Sequence, residues 1–166
     1  MVGAFWLLLV KIGMSKKSQK LDLITGDAIT PREIEYIYPC IFSKEDIKVM
    51  VYPLETILAE KYETIIRRNI TTTRMRDFYD RYTLYKLKKD DIDYKILKES
   101  IERTSDKRGS KEIMKDYEEI IEDIKEDSYL RSLWEVYLSE NKYIGNLKFD
   151  KVVGVVRIIS NRINEM

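Results

Sequence analysis

The chain has 166 residues, with 30 Lys and Arg against 29 Asp and Glu and a formal charge of +1. One sizeable core is expected, and no global field recruits nucleic acid or an anionic membrane, so any nucleic-acid contact must be local. Histidine is absent and Cys40 is the single cysteine, which excludes histidine general bases, Ser-His and Cys-His nucleophile pairs, an internal disulfide and most zinc sites.

The elements follow in chain order. The run Ala4 to Val10 is apolar, yet too short to span a bilayer as a helix, with no basic residue before it and no small-residue cleavage site after it. A buried β-strand over about 4–12 is predicted, turning at Gly13 to Lys17, with a second strand at Gln19 to Thr25. In that strand Leu21 and Leu23 face one way and Asp22 the other. Gly26-Asp27 marks a turn, and Thr30-Pro31-Arg32 opens an irregular segment through Tyr36, Tyr38 and Pro39. Cys40, beside Pro39 and Ile41, reads as a small core residue, and a reducing cytoplasm fits it best. Val49 and Val51 alternate with Lys48 and Met50, which predicts a short strand over Ile47 to Val51.

Pro53 then opens a helix. Leu54, Leu58 and Ile65 fall on one stripe, with Ile57 beside them, and the intervening position of that stripe is Lys61. A short Asn/Thr break follows. Any of Thr71, Thr72 and Thr73 can cap the next helix, Thr73 being the natural choice before Arg74. Met75, Phe78, Tyr79 and Tyr82 form one apolar face, and Leu84 and Leu87 lie opposite, so this helix is expected to be covered nearly all round. Asp77 and Asp80 stand one turn apart, with Arg76 flanking them. A half-buried lysine, arginine and two aspartates must pair or bind something, because an isolated ion in a low-dielectric site is costly. Two readings stay open: a structural ion-pair cluster joining Lys61 to Asp77 or Asp80, and a phosphate or metal-phosphate site.

Beyond Lys88 and Lys89 the acidic stretch Asp90-Asp91-Ile92-Asp93 suits a helix N-terminus. Arg103 to Ser110 reads as a polar loop. A helix from Lys111 to Lys125 carries Ile113, Tyr117, Ile120, Ile121 and Ile124 on one stripe. Residues 127–142 form another, packing through Leu130, Leu133, Trp134, Tyr137 and Leu138, and Gly145-Asn146 breaks it. The last helix, about Phe149 to Asn164, turns Val152, Val153, Val156, Ile159 and Ile163 inward. The class is therefore α+β: short strands near the N-terminus over 1–51, then an α-helical bundle over 52–166.

The run Tyr52 to Lys61, ending Ala59-Glu60-Lys61, followed by Thr73-Arg74-Met75-Arg76-Asp77-Phe78-Tyr79-Asp80, resembles the core signature of the AbiEii/AbiGii toxin family of nucleotidyltransferases. Members carry an AEK helix and then an R-x-[RK]-D-x-x-D helix at about this separation. Lys20-Leu21-Asp22-Leu23 with Gly26-Asp27 upstream, and Trp134 with Tyr137 downstream, are similar as well.

The resemblance implies transfer of a nucleoside monophosphate from a nucleoside triphosphate to an RNA, such as tRNA, or to a protein acceptor, with Mg2+ as cofactor and a cognate antitoxin as partner. It makes residues 1–51 the C-terminal part of a nucleotidyltransferase-like sheet. Asp22 takes the position of a metal-organising carboxylate on a strand, Lys61 becomes the cation that neutralises phosphate, and Asp77 orients it or approaches the acceptor. Arg74, Arg76 and Asp80 fall to nucleotide or acceptor binding. The family's Gly-Ser and D-x-D motif has no counterpart upstream of Asp22; Asp91-Ile92-Asp93 and Gly109-Ser110 are decoys by position. A truncated transferase, weak or inactive alone, is therefore expected. The alternative is a non-catalytic module that keeps the antitoxin-facing or RNA-facing surface.

Overall fold

The computed structural model describes the backbone of residues 4–12 and 15–23, and residues 26, 28–40 and 45–165 together with their side chains. Of the turn expected over Gly13 to Lys17, Gly13 and Met14 lie outside the described residues, as do Ile24 and Thr25 of the second strand and Asp27 of the Gly26-Asp27 turn, while Ser15 to Lys17 are already strand rather than turn. Two antiparallel hairpins are followed by six helices, so the α+β class stands and the molecule is mostly helical.

The first hairpin pairs β1 (Ala4–Ile12) with β2 (Ser15–Leu23). The second pairs β3 (Ile34–Tyr38) with β4 (Ile47–Val51), in register Tyr36 to Val49. Here the structure corrects the sequence reading: β3 replaces part of the irregular segment expected after Thr30. The prolines at 31 and 39 had pointed to a loop, but both stand outside the paired residues. Cys40 is half-exposed.

The segment between the hairpins is tied to the first helix by a buried pair of hydrogen bonds. Thr30 N–H donates to Thr56 Oγ1 at 3.0 Å, and the Thr56 hydroxyl donates back to the Thr30 carbonyl at 3.0 Å. Helix α1 (Leu54–Arg68) starts directly after Pro53. Its buried apolar face is Leu58, Ala59, Tyr62, Ile65 and Ile66, and it packs most extensively on α3 (Tyr94–Arg108). Asp93 caps α3, accepting from Lys95 N–H at 2.9 Å and Ile96 N–H at 3.2 Å. That settles the acidic stretch as a helix start. Helix α3 also continues through the segment expected to be a loop and ends at Gly109, whose φ of 65° suits glycine at a helix C-terminus.

Helix α2 (Met75–Lys88) is the second correction. Thr73 does not cap it; instead Arg74 N–H donates to Thr72 Oγ1 at 3.3 Å. Nor is it covered all round, since Leu87 is 73% exposed. A 3-10 turn at Ile113–Asp116 and α4 (Tyr117–Glu126) replace the single helix expected from Lys111. Helices α5 (Ser128–Glu140) and α6 (Phe149–Asn164) close the bundle. Trp134 is fully buried between them, with ring centroids 5.9 Å from Phe149 and 5.5 Å from Tyr137, and its indole N–H donates to the Leu147 carbonyl at 2.7 Å. All five residues expected to face inward from α6 are buried. No helix among the described residues is long and apolar enough to cross a membrane.

Candidate functional site

The site forms where α1 and α2 pack together. Asn69, with a φ of 47°, and the 3-10 turn Asn69–Thr71 reverse the chain between them, so the third turn of α1 faces the first turns of α2. Lys61 Nζ then lies 3.2 Å from Asp77 Oδ1 and 2.9 Å from Asp80 Oδ2. It bonds both aspartates at once. Arg74 Nε lies 3.1 Å from Asp77 Oδ2, and Arg76 Nε 3.8 Å from Asp80 Oδ2. Five of the six residues singled out in the sequence thus come together. Asp22 sits on β2 opposite Phe5, and its side chain lies outside the described residues.

Electrostatically the cluster favours an anion. Three cations, Lys61, Arg74 and Arg76, share two carboxylates, and the lysine and the aspartates keep 14 to 30% of their side-chain surface. Charge is half desolvated here, which strengthens its pull on a ligand without the full cost of burial. A cavity of about 320 Å³ adjoins the cluster, lined by Arg74, Arg76 and Asp77 on one side and Leu133, Val136, Tyr137 and Glu140 on the other. Burial and the neighbouring Tyr143 hydroxyl push the Tyr137 phenol up to about 12, with the charge of Asp80 adding to the effect. Tyr137 therefore stands in this wall as a neutral donor. Two roomier clefts of about 380 Å³, one between α4 and α6 and one beside Tyr62 and Tyr117, touch none of the motif residues.

Among the described residues no three carboxylate, cysteine or histidine groups come close enough to hold a metal ion. Asp77 spends both oxygens on cations. The residues of this cluster do not fit a magnesium site.

Two charged residues escaped the sequence reading. Glu63 is fully buried, with Oε1 accepting from Arg67 Nε at 2.7 Å and Ser110 Oγ at 2.8 Å, and Oε2 from Arg108 Nη1 at 2.7 Å. Ser110 of the Gly-Ser decoy is thus a structural partner. Arg81, on α2, is also fully buried, and neither its Nε nor either of its terminal nitrogens has a hydrogen-bond partner. Its guanidinium carbon stands 5.9 Å from the centroid of the Phe78 ring. Burial pushes its pKa down to about 9, opposed by Tyr62 and Asp77, so it remains charged at neutral pH. The signal for Arg81 was its place three residues after Phe78, on the packing side of the helix.

With this geometry in view, comparison with known proteins is informative. The family described as nucleotidyl transferase AbiEii toxin, type IV TA system, matches residues 5–155, and the chain belongs to that family. Membership implies a nucleoside triphosphate as substrate and an antitoxin as partner. No curated protein and no solved structure matches the chain.

Proposed function

We propose that the Lys61 cluster is the phosphate-binding part of a nucleotidyltransferase site. The observation that carries this reading is the position of Lys61 Nζ, within hydrogen-bond reach of Asp77 and Asp80, in a cluster whose Arg74, Arg76 and Asp77 line an open cavity. The reaction is attack of an acceptor oxygen on the α-phosphorus of a nucleoside triphosphate. The bond to the bridging oxygen breaks, pyrophosphate leaves, and the acceptor hydroxyl loses its proton. Lys61 neutralises phosphate charge as a compact ammonium. Asp77 and Asp80 hold that ammonium, and Asp77, which lines the cavity, approaches the acceptor. Arg74 and Arg76, exposed at the rim, contact nucleotide or acceptor phosphates.

In the same reading residues 1–51 belong to the transferase sheet and 52–166 form the helical domain. Asp22 is the position that matches the metal-organising carboxylate, with Mg2+ the group it would hold. The acceptor is an RNA, tRNA among them, or a protein, and the setting is the cytoplasm. The 166 residues carry no D-x-D behind a Gly-Ser turn, so the chain by itself is read as a weak or inactive transferase that still binds nucleotide.

Thermal unfolding with magnesium and each of the four nucleoside triphosphates tests this, with Lys61→Ala in parallel. At free ligand about one hundred times the dissociation constant, binding adds roughly 2.7 kcal/mol. That is a rise of several degrees, at roughly 2–4 °C per kcal/mol for a chain of this size, and it is expected to vanish in the variant. No rise with any nucleotide would turn the reading to the non-catalytic module that faces antitoxin or RNA.

A further inference from the structure

Arg81 has no part in the site as described, yet it is the most anomalous charge in the molecule. It lies one helical turn after Asp77 on α2, fully buried, and its guanidinium nitrogens have no hydrogen-bond partner among the described residues. Its guanidinium lies beside the Phe78 ring of its own helix, and the charges that act on it are those of Tyr62 on α1 and Asp77. The Tyr62 hydroxyl is already bonded to Ser160 Oγ of α6 at 2.8 Å. A buried guanidinium is normally held by a carboxylate. Here the nearest candidate is taken, because Asp77 gives one oxygen to Lys61 and the other to Arg74.

Spacing makes an exchange simple. An aspartate and an arginine four residues apart on a helix are natural ion-pair partners. When a phosphate draws the Lys61 ammonium toward itself, Asp77 loses one of its two cations while remaining half-buried. A turn of its side chain toward Arg81, one helical turn on, would then pair both groups. We infer that Arg81 is a positioning residue, the reserve partner of Asp77, whose unmet donors make it easier for Lys61 to leave the aspartate for a phosphate. Arg81 touches no substrate in this scheme and acts only through Asp77 and Lys61.

The ligand-bound half of the inference rests on Lys61 meeting phosphate, as read above; the test below does not. Urea unfolding midpoints are measured for the wild type, Lys61→Met, Arg81→Met and the double variant. Removing Lys61 reproduces the state in which Asp77 needs its reserve partner. In the wild-type background Arg81→Met is expected to leave the midpoint unchanged or raise it, since an unpaired buried cation is replaced by an apolar side chain of similar length. In the Lys61→Met background the same substitution is expected to lower the midpoint. The two effects should become equal again when Asp77→Asn is added to every member of the cycle.

An equal displacement in both backgrounds would show a packing role alone and overturn the inference. So would an Arg81→Met protein that fails to fold while Lys61 is present. If Lys61→Met itself does not fold, Arg74→Ala takes its place in the cycle, since it also strips Asp77 of a cation from a mostly exposed position. Failure to bind any nucleoside triphosphate with the cycle intact would count against the function proposed above and leave the Asp77 exchange standing.

Discussion

Lys61 and Glu63 stand two residues apart on α1 and enter two charged clusters of opposite character. Glu63 is fully buried, and its two oxygens receive three donors at 2.7 to 2.8 Å. Lys61 keeps 21% of its side-chain surface and holds its aspartates at 2.9 and 3.2 Å, with two arginines behind them. The first is a closed account of charge, in which every group near the carboxylate is matched and the loop after α3 is tied to α1. The second gathers three cations around two carboxylates, and Arg74, Arg76 and Asp77 of it line a cavity. Burial with a matched carboxylate serves the fold; partial exposure at a cavity is what the proposed phosphate site requires.

Breaking the closed cluster should cost most. Glu63→Ala leaves the Ser110 hydroxyl only the 3.4 Å bond to the Ser105 carbonyl and removes the anion shared by Arg67 and Arg108. A loss of about 3 kcal/mol is expected, the low end for a broken buried pair because both arginines reach water. Urea unfolding measures it, and the stabilisation gained from nucleotide should survive in whatever protein remains folded.

The open cluster should behave in the reverse way. Lys61→Ala is expected to cost less intrinsic stability than Glu63→Ala, because Asp77 keeps Arg74 and Asp80 keeps Arg76, while the roughly 2.7 kcal/mol conferred by saturating nucleotide disappears. Thermal unfolding with and without ligand separates the two quantities. A variant that lost several kcal/mol without ligand would make Lys61 another Glu63.

Tyr62 lies between these residues and gives a smaller effect. Tyr62→Phe removes the buried bond to Ser160, at about 1 kcal/mol, and changes the alkaline behaviour. Burial holds the folded phenol up to about 12, against about 10 in an unfolded chain. Over that interval the folded protein keeps a proton that the unfolded chain has lost, so stability is full below about pH 10 and declines toward pH 12. Unfolding midpoints between pH 9 and 12 should show a shallower decline in the variant. Tyr94 and Tyr137, also raised to about 12, retain part of the slope, and Arg81 opposes it. Smallest of all is Arg76→Ala: with 82% of its side chain exposed, it should shift stability by no more than about 0.5 kcal/mol. Its effect should appear in nucleotide or acceptor affinity instead.

Much of this contrast was legible in the sequence, on one side only. Lys61 interrupts an apolar stripe, and the two aspartates one turn apart on the next helix are the obvious partners, so local periodicity found the open cluster. The closed one could not be found that way. Arg108 and Ser110 are 45 and 47 residues from Glu63, and no helical period links them. A polar stretch from Arg103 to Ser110 reads as a loop until tertiary contacts bury its serines and carry α3 through to Arg108. Strand β3 was missed because its flanking prolines outweighed the alternation within it. Arg81 was hidden by its own charge, which argues for the surface wherever packing does not override it.

The most direct test of the contrast is calorimetric titration of a magnesium nucleoside triphosphate into the wild type, Lys61→Ala and Arg67→Ala. Arg67 serves as the control because it belongs to the closed cluster and is partly exposed. The account predicts that binding heat is retained in Arg67→Ala and lost in Lys61→Ala. Equal binding by all three proteins, or equal loss in both variants, would contradict it.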